Sequence, residues 1–285
     1  MTRIALATCA AFPDLDEDGP ELLAALAAEG LEVDVRAWDS DTDWTAYALV
    51  VIRTTWDYWT RYDEFLAWTR RVPQLVNSPD VIAWNTDKTY LRRLAAAGIP
   101  VVPTTWLQPG DSFAPPDHAF VVKPTVSAGA RDTAAYPAGD EAAVAHVQAL
   151  LAAGRPVMVQ PYLDGVEVEG ETAVLVFDGQ VSHAARKGAI LRLGTGVDNA
   201  FDGYAITPRD PSPEERELAL RVLEEVRSWG DDLLYARVDL LPGPVLIELE
   251  VTEPSLFLRH APGAAQRYAA AVRRRVSTPA ATQLS

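Results

Sequence analysis

Along the first eighty residues the spacing of apolar positions changes several times, and each change predicts a switch between strand and helix. Apolar-rich runs at 3–8, 32–37 and 48–53 read as strands, while 19–29, with Leu22, Leu23 and Leu26 on one side, and 63–71 read as helices. Recurrence every three or four residues marks a helix face, and short apolar runs mark strands. Alternation of this kind implies a small parallel sheet with crossover helices. Such sheets meet ligands beyond the carboxyl ends of their strands. Those ends here carry Thr8-Cys9-Ala10-Ala11 and Arg53-Thr54-Thr55-Trp56-Asp57-Tyr58. No glycine fingerprint follows the first strand, which argues against a dinucleotide site.

From Asn77 the pattern changes. Residues 85–97 predict a helix, capped by Asn85 and stopped by Gly98. Strands are expected at 101–107, 119–122 and 157–160, with a helix at 140–153. A hairpin over 172–176 and 181–185 turns at Asp178-Gly179. Helices follow at 214–228 and 263–276, and 277–285 reads as a frayed tail.

The richest stretch is 237–250, two apolar-alternating runs joined by Pro242-Gly243-Pro244. A turn centred between Gly243 and Pro244 sets Asp239 opposite Glu248 and Arg237 opposite Glu250. These four then share one face, and Val238, Leu240, Ile247 and Leu249 the other. Like charges directly opposite each other destabilise a sheet, so acids placed there call for a cation between them. Oxygen ligands of this kind suit Mg²⁺ holding a nucleotide phosphate. A solvated polar face with an Arg237–Glu250 salt bridge explains the same pattern equally well.

Composition narrows the partners. Among 285 residues, 40 acids against 25 bases give a net charge of −15. That disfavours nucleic acid and anionic membranes, which need a basic footprint. One cysteine, Cys9, allows no internal disulfide, and His118, His146 and His183 show no metal-ligand spacing. The amino-terminal apolar run is too short for a signal peptide and no run reaches membrane-span length, so a cytoplasmic protein is expected. Lysine is scarce, occurring only at Lys88, Lys123 and Lys187. Lys123 ends a strand beside the small-residue loop Ser127-Ala128-Gly129-Ala130, whose amides could close over phosphate oxygens.

In order along the chain, Lys88 with Gly98-Ile99-Pro100, Val122-Lys123-Pro124, Gln160-Pro161-Tyr162-Leu163, Gly170-Glu171, Arg186, Asp239, Glu248-Leu249-Glu250 and Pro254 resemble the ATP-grasp superfamily. The resemblance implies an α/β architecture: an ATP-grasp fold of two α+β lobes clasping ATP, preceded by a small Rossmann-like parallel-sheet domain. The expected division is 1–80 for that first domain, 81–160 for the lobe with the phosphate loop, and 161–276 for the lobe with the metal hairpin. By the same resemblance Lys88 and Lys123 touch the ATP phosphates and Ser127, Ala128 and Gly129 close over them. Gln160 and the backbone at Tyr162 and Leu163 face adenine, and Glu171 binds ribose. Asp239, Glu248 and Glu250 hold two Mg²⁺ ions, and Arg186 neutralises the transferring phosphate. Glu250 departs from the asparagine usual at its position, and the phosphate loop carries fewer glycines than is usual.

Within the superfamily, Arg53-Thr54-Thr55-Trp56-Asp57-Tyr58, Gly170-Glu171-Thr172, Arg186-Lys187-Gly188 and 248–255 resemble the cycloserine-biosynthesis branch, the O-ureidoserine cyclo-ligases. That implies a small amino-acid substrate whose carboxylate is activated as an acyl phosphate and attacked by its own nitrogen. A homodimer is a family-level expectation. Arg53 is a candidate fork for the substrate carboxylate, Asp57 for its α-ammonium, and Trp56 and Arg259 for further contacts. The loop 194–204, with Asn199 and Asp202, is long enough for a lid. Two other readings share the ATP residues: a ligase joining two separate substrates, and a non-catalytic ATP-binding partner protein.

Overall fold

The computed structural model describes residues 1–163, 165–189, 191, 193–194 and 205–277. The expected lid at 194–204 and tail at 277–285 fall almost wholly outside the described residues.

Parallel strands whose two faces are both covered read as continuous apolar runs. This holds for β1 (Thr2–Thr8), buried from Ile4 to Thr8, and β3 (Leu49–Thr54), buried throughout. With β2 (Leu31–Ala37) and the short β4 (Leu75–Val76) they form a sheet ordered β2-β1-β3-β4, parallel at every pairing. Helices α1 (Gly19–Ala28) and α2 (Tyr62–Arg71) are its crossovers.

The expected helix at 85–97 is two helices, α3 (Pro79–Asn85) and α4 (Tyr90–Ala96). Asn85 is no cap. Its amide turns into the third sheet, donating to Leu249 O (2.7 Å) and accepting from Val251 N–H (3.0 Å). Ser78 caps α3 instead, and the break between the helices lets Lys88 N–H bond Thr125 O at 2.9 Å.

The second sheet is antiparallel, ordered β5-β8-β6-β7, from β5 (Thr105–Leu107), β6 (Phe120–Pro124), β7 (Ala134–Tyr136) and β8 (Val157–Pro161), with α5 (Ala142–Ala152) packed on it. The strand expected at 101–107 is shorter, because Val101 and Val102 turn aside to pair with Leu246. After α6 (Gly165–Glu169) comes the third sheet, ordered β11-β10-β9-β12-β13. Its strands are β9 (Glu171–Phe177), β10 (Gln180–Lys187), β11 (Ile206–Arg209), β12 (Tyr235–Leu241) and β13 (Val245–Glu250). α7 (Pro213–Ser228) covers one face of this sheet, held at its start by a Ser212–Glu215 capping box. α8 (Ala264–Ser277) covers the other face and packs against α1. Sequence reading did not anticipate β4, β7, β11 or α6.

The acidic hairpin pairs Asp239 with Glu248 and Arg237 with Glu250 as expected, but the register shifts beyond Asp239, where Leu240 pairs with Leu246. The extra residue is Ile247. A bulge re-aims a side chain, and here Leu246 takes the core place expected for Ile247 while Ile247 faces a cavity.

Residues 251–259 follow β13 and run beneath the first sheet. Arg53 Nη2 donates to Pro254 O (3.1 Å), Trp56 Nε1 to Glu253 O (3.0 Å), and Asp18 accepts Leu258 and Arg259 N–H (2.9 and 3.1 Å). Asn77 donates to Val251 O (2.7 Å) and to Tyr235 O (3.0 Å). Among the described residues, no helix is long and apolar enough to cross a membrane.

Candidate active site

One cavity of about 810 Å³ lies where the three sheets meet. Each wall follows from local structure. β6 ends with Lys123 pointing inward, and its backbone continues into the loop Ser127–Arg131. That loop needs left-handed backbone at Gly129 (φ +62°) and at Ala130 (φ +56°), so the one glycine stands at one of the two turning positions. Arg131 lies over Trp59 of the first domain, 5.1 Å from the ring centre, and Ala128 packs on that domain's core. Lys88 Nζ donates to Ser127 O (3.0 Å) and pairs with Glu248 (3.1 Å), which ties the loop to the hairpin.

Opposite stand β9, β10 and the hairpin. Lys187 Nζ lies 2.7 Å from Glu171 Oε2 and 2.6 Å from Asp239 Oδ2. Arg237 forks onto both oxygens of Asp239 (2.9 Å each) and pairs with Glu250 (2.7 Å). Burial works against ionisation of Asp239, yet Arg237 and Lys187 hold it below the usual carboxylate range. Glu248 is held low in the same way by Lys88 and Lys123. Burial lifts Glu250 to about 7 against the pull of Arg237. Glu253, just past the hairpin, is lifted to about 8 by burial and then by Glu250.

Lys123 stands apart from the other basic groups. It is 8 % exposed, and among the described residues its ammonium has no hydrogen bond or ion pair. Burial drops its pKa to about 8, against the pull of Glu248. A buried cation that makes no direct ion pair is costly, so the cavity is suited to receive an anion there.

The structure brings Lys88, Lys123, Ser127, Ala128, Gly129, Gln160, Tyr162, Leu163, Glu171, Glu248, Glu250, Trp56 and Asp57 into this cavity. Gln160 is oriented by a 2.9 Å bond to Thr104. The Tyr162 N–H is already committed to Ala119 O (2.9 Å), so it cannot also serve an adenine edge. Asp57 lines the wall with both carboxylate oxygens engaged, one by Trp38 Nε1 (2.9 Å) and one by Arg61 (3.2 Å).

Four expectations need correction. Arg53 does not reach the cavity: it is 1 % exposed, bonded to Pro254 O and packed near the rings of Tyr235 and Tyr268, so it supports residues 251–259 from behind. Arg259 is half-exposed outside the cavity, paired with Glu17. Arg186 and Lys187 exchange places relative to expectation, because side chains alternate along β10. Arg186 bonds the carbonyls of Glu169 (2.5 Å) and Val168 (2.9 Å), and Lys187 faces inward. Finally, among the described residues no three carboxylates converge as a metal cage. Each hairpin acid turns to a basic side chain, and Asp239 is a layer below the wall, 1 % exposed. Glu248, a quarter exposed with Lys88 as its ion pair, is the hard-oxygen donor best fitted to a divalent cation.

Sequence reading passed over Lys187, Arg237 and Glu253 as site residues. The scarcity of lysine pointed at the first, and the cross-strand pairing with Glu250 at the second. Glu253 lay within the 248–255 stretch that carried the cyclo-ligase resemblance, but without a role of its own.

Comparisons with known proteins agree with this geometry. Residues 4–77 match the family model described as the amino-terminal domain of D-cycloserine synthetase DcsG. The cycloserine biosynthesis protein DcsG of Streptomyces lavendulae is 37% identical over 298 residues, covering 97% of this chain and 99% of that protein. The crystal structure of D-cycloserine synthetase DcsG superposes with a TM-score of 0.87 at 34% identity, over 96% of this chain and 99% of that one. A D-alanine–D-alanine ligase from Bacillus anthracis shares the fold at a TM-score of 0.65 and 15% identity, over 98% of this chain and 97% of that one.

Proposed function

The chain belongs to the ATP-grasp ligase family of the cycloserine biosynthesis protein DcsG, and we propose that it closes an O-ureidoserine-type amino acid into a cycloserine-type ring with ATP. The observation that carries the phosphate site is Lys123, a buried ammonium facing the cavity with no hydrogen bond or ion pair among the described residues. Lys88, fixed between Ser127 O and Glu248, and Lys187, fixed between Glu171 and Asp239, add two further oriented cations. Pre-oriented charge of this sort stabilises a transferring phosphoryl group without reorganisation during the reaction.

Chemically, a carboxylate oxygen of the substrate attacks the γ-phosphorus and ADP leaves. A nitrogen of the same molecule then attacks the acyl carbon, and phosphate departs. The ammonium groups of Lys88 and Lys123 offset charge on the phosphoryl oxygens, and the cavity holds both ends of the substrate near attack distance. Mg²⁺ would be held from Glu248, with Glu250 also lining the cavity. Bound there, it would neutralise phosphate charge. A cytoplasmic location fits a reaction that consumes ATP.

The test is incubation of the purified protein with Mg·ATP and each enantiomer of O-ureido-serine, reading ADP and the organic product by mass spectrometry. ADP together with a cyclised product is expected. ADP formed only when a separate amine is added would move the chain to two-substrate ligation. Glu248→Gln should lower kcat by about 100-fold or more while leaving the far-UV circular dichroism unchanged. Undiminished turnover of that variant would remove Glu248 from the phosphate site.

A further inference from the structure

Apart from Glu253, the carboxylates gathered at the hairpin wall each have a basic partner. Glu171 pairs with Lys187, Glu248 with Lys88, Glu250 with Arg237, and Asp239 with both Lys187 and Arg237. Glu253 lines the same cavity and is only 6 % exposed, yet among the described residues its carboxylate has neither ion pair nor hydrogen bond. A buried carboxylate left so is costly. It is also held with care. Trp56 Nε1 grips the Glu253 carbonyl (3.0 Å), Arg53 the next carbonyl (3.1 Å), and Arg237 reaches Ser255 O at 3.4 Å. Three side chains bonded to three consecutive carbonyls fix the backbone that carries Glu253.

The neighbouring wall decides which cation suits it. Trp56 and Phe12 meet edge to face with ring centres 4.7 Å apart, and both line the cavity. A small ammonium gains from aromatic faces as well as from the carboxylate, whereas a hard divalent ion requires several oxygens. Asp57, the residue with an ammonium role by sequence, has both oxygens spoken for by Trp38 and Arg61.

We propose that the Glu253 carboxylate, bounded by Trp56 and Phe12, anchors the α-ammonium of the amino-acid substrate. The proposal rests on the ligase reading above and adds an ammonium-binding group to it. Recognition of the ammonium in this way makes the site selective for α-amino acids over their desamino counterparts.

The experiment is calorimetric titration of the full chain, loaded with a non-hydrolysable ATP analogue, with O-ureido-serine and with its desamino analogue. The wild type should bind the amino form about 10- to 100-fold more tightly, the range for one charge-assisted pair. Glu253→Gln should lose that preference and bind the desamino analogue as the wild type does. A wild type without preference overturns the proposal even should the variant fail to fold. So does a Glu253→Gln protein that keeps the preference and loses only kcat, the pattern of a proton acceptor. Failure of the wild type to bind either compound while binding the ATP analogue would overturn the ligase reading, and this proposal with it.

Discussion

Two adjacent residues, Arg186 and Lys187, show how one position decides a role. The family-like order of charges pointed to the arginine, but the pleat of β10 turns it toward the carbonyls of α6 and turns the lysine between Glu171 and Asp239. Lys187→Met should therefore lower kcat/KM by about 100-fold or more and cost on the order of 3 kcal/mol in urea unfolding, because it leaves a buried acid short of a partner. Arg186→Ala should stay within a few-fold of wild-type kcat/KM. The reverse ranking in steady-state assays would restore the arginine. The lysines were legible in the sequence because the chain uses so few. Their partners were not, since ion pairs such as Lys88–Glu248 join residues far apart in the chain. Arg53 misled for the same reason: a strand-end arginine looks like a ligand fork until the carbonyl of Pro254 is seen to occupy it.

Among the elements, the long strands and α7 could be read from periodicity and capping, while β4, β7 and β11 are too short to show any. The acidic hairpin was legible as far as Asp239, but its bulge was not, because Leu246 and Ile247 are equally apolar and only packing chooses between them. The junction between α6 and β9 carries a sharper constraint. Gly170 has φ +72°, and a Cβ there would stand 2.2 Å from Lys187 O. Gly170→Ala must push β10 away and displace Lys187 with it. We expect a loss of more than about 2 kcal/mol in denaturant unfolding and a fall in turnover that raised ATP does not restore. Wild-type stability for this variant would show that the two strands can part without cost.

Across the whole molecule, acid should act through His183. It is buried on β10, its Nε2–H donates to Leu256 O (2.9 Å), and burial lowers its pKa from 6.5 to about 4. The unfolded chain binds this proton first, so the contribution is complete above pH 6.5 and fades as pH falls toward 4. Between pH 7 and pH 5 the loss should be about 2 kcal/mol. His183→Gln should narrow the difference in urea stability between those two pH values by that amount. An unchanged difference would place the acid sensitivity elsewhere. The carbonyl that His183 holds belongs to residues 251–259, to which Asp18, Arg53 and Trp56 are also bonded. Residues 251–259 thus tie the first eighty residues to the rest of the chain, alongside the packing of α1 on α8. Exchange of domains between relatives, a common route to new substrate ranges, should fail here at the obvious boundary near residue 80. A chimera that carries 251–259 together with its own first eighty residues keeps these bonds intact and should fold.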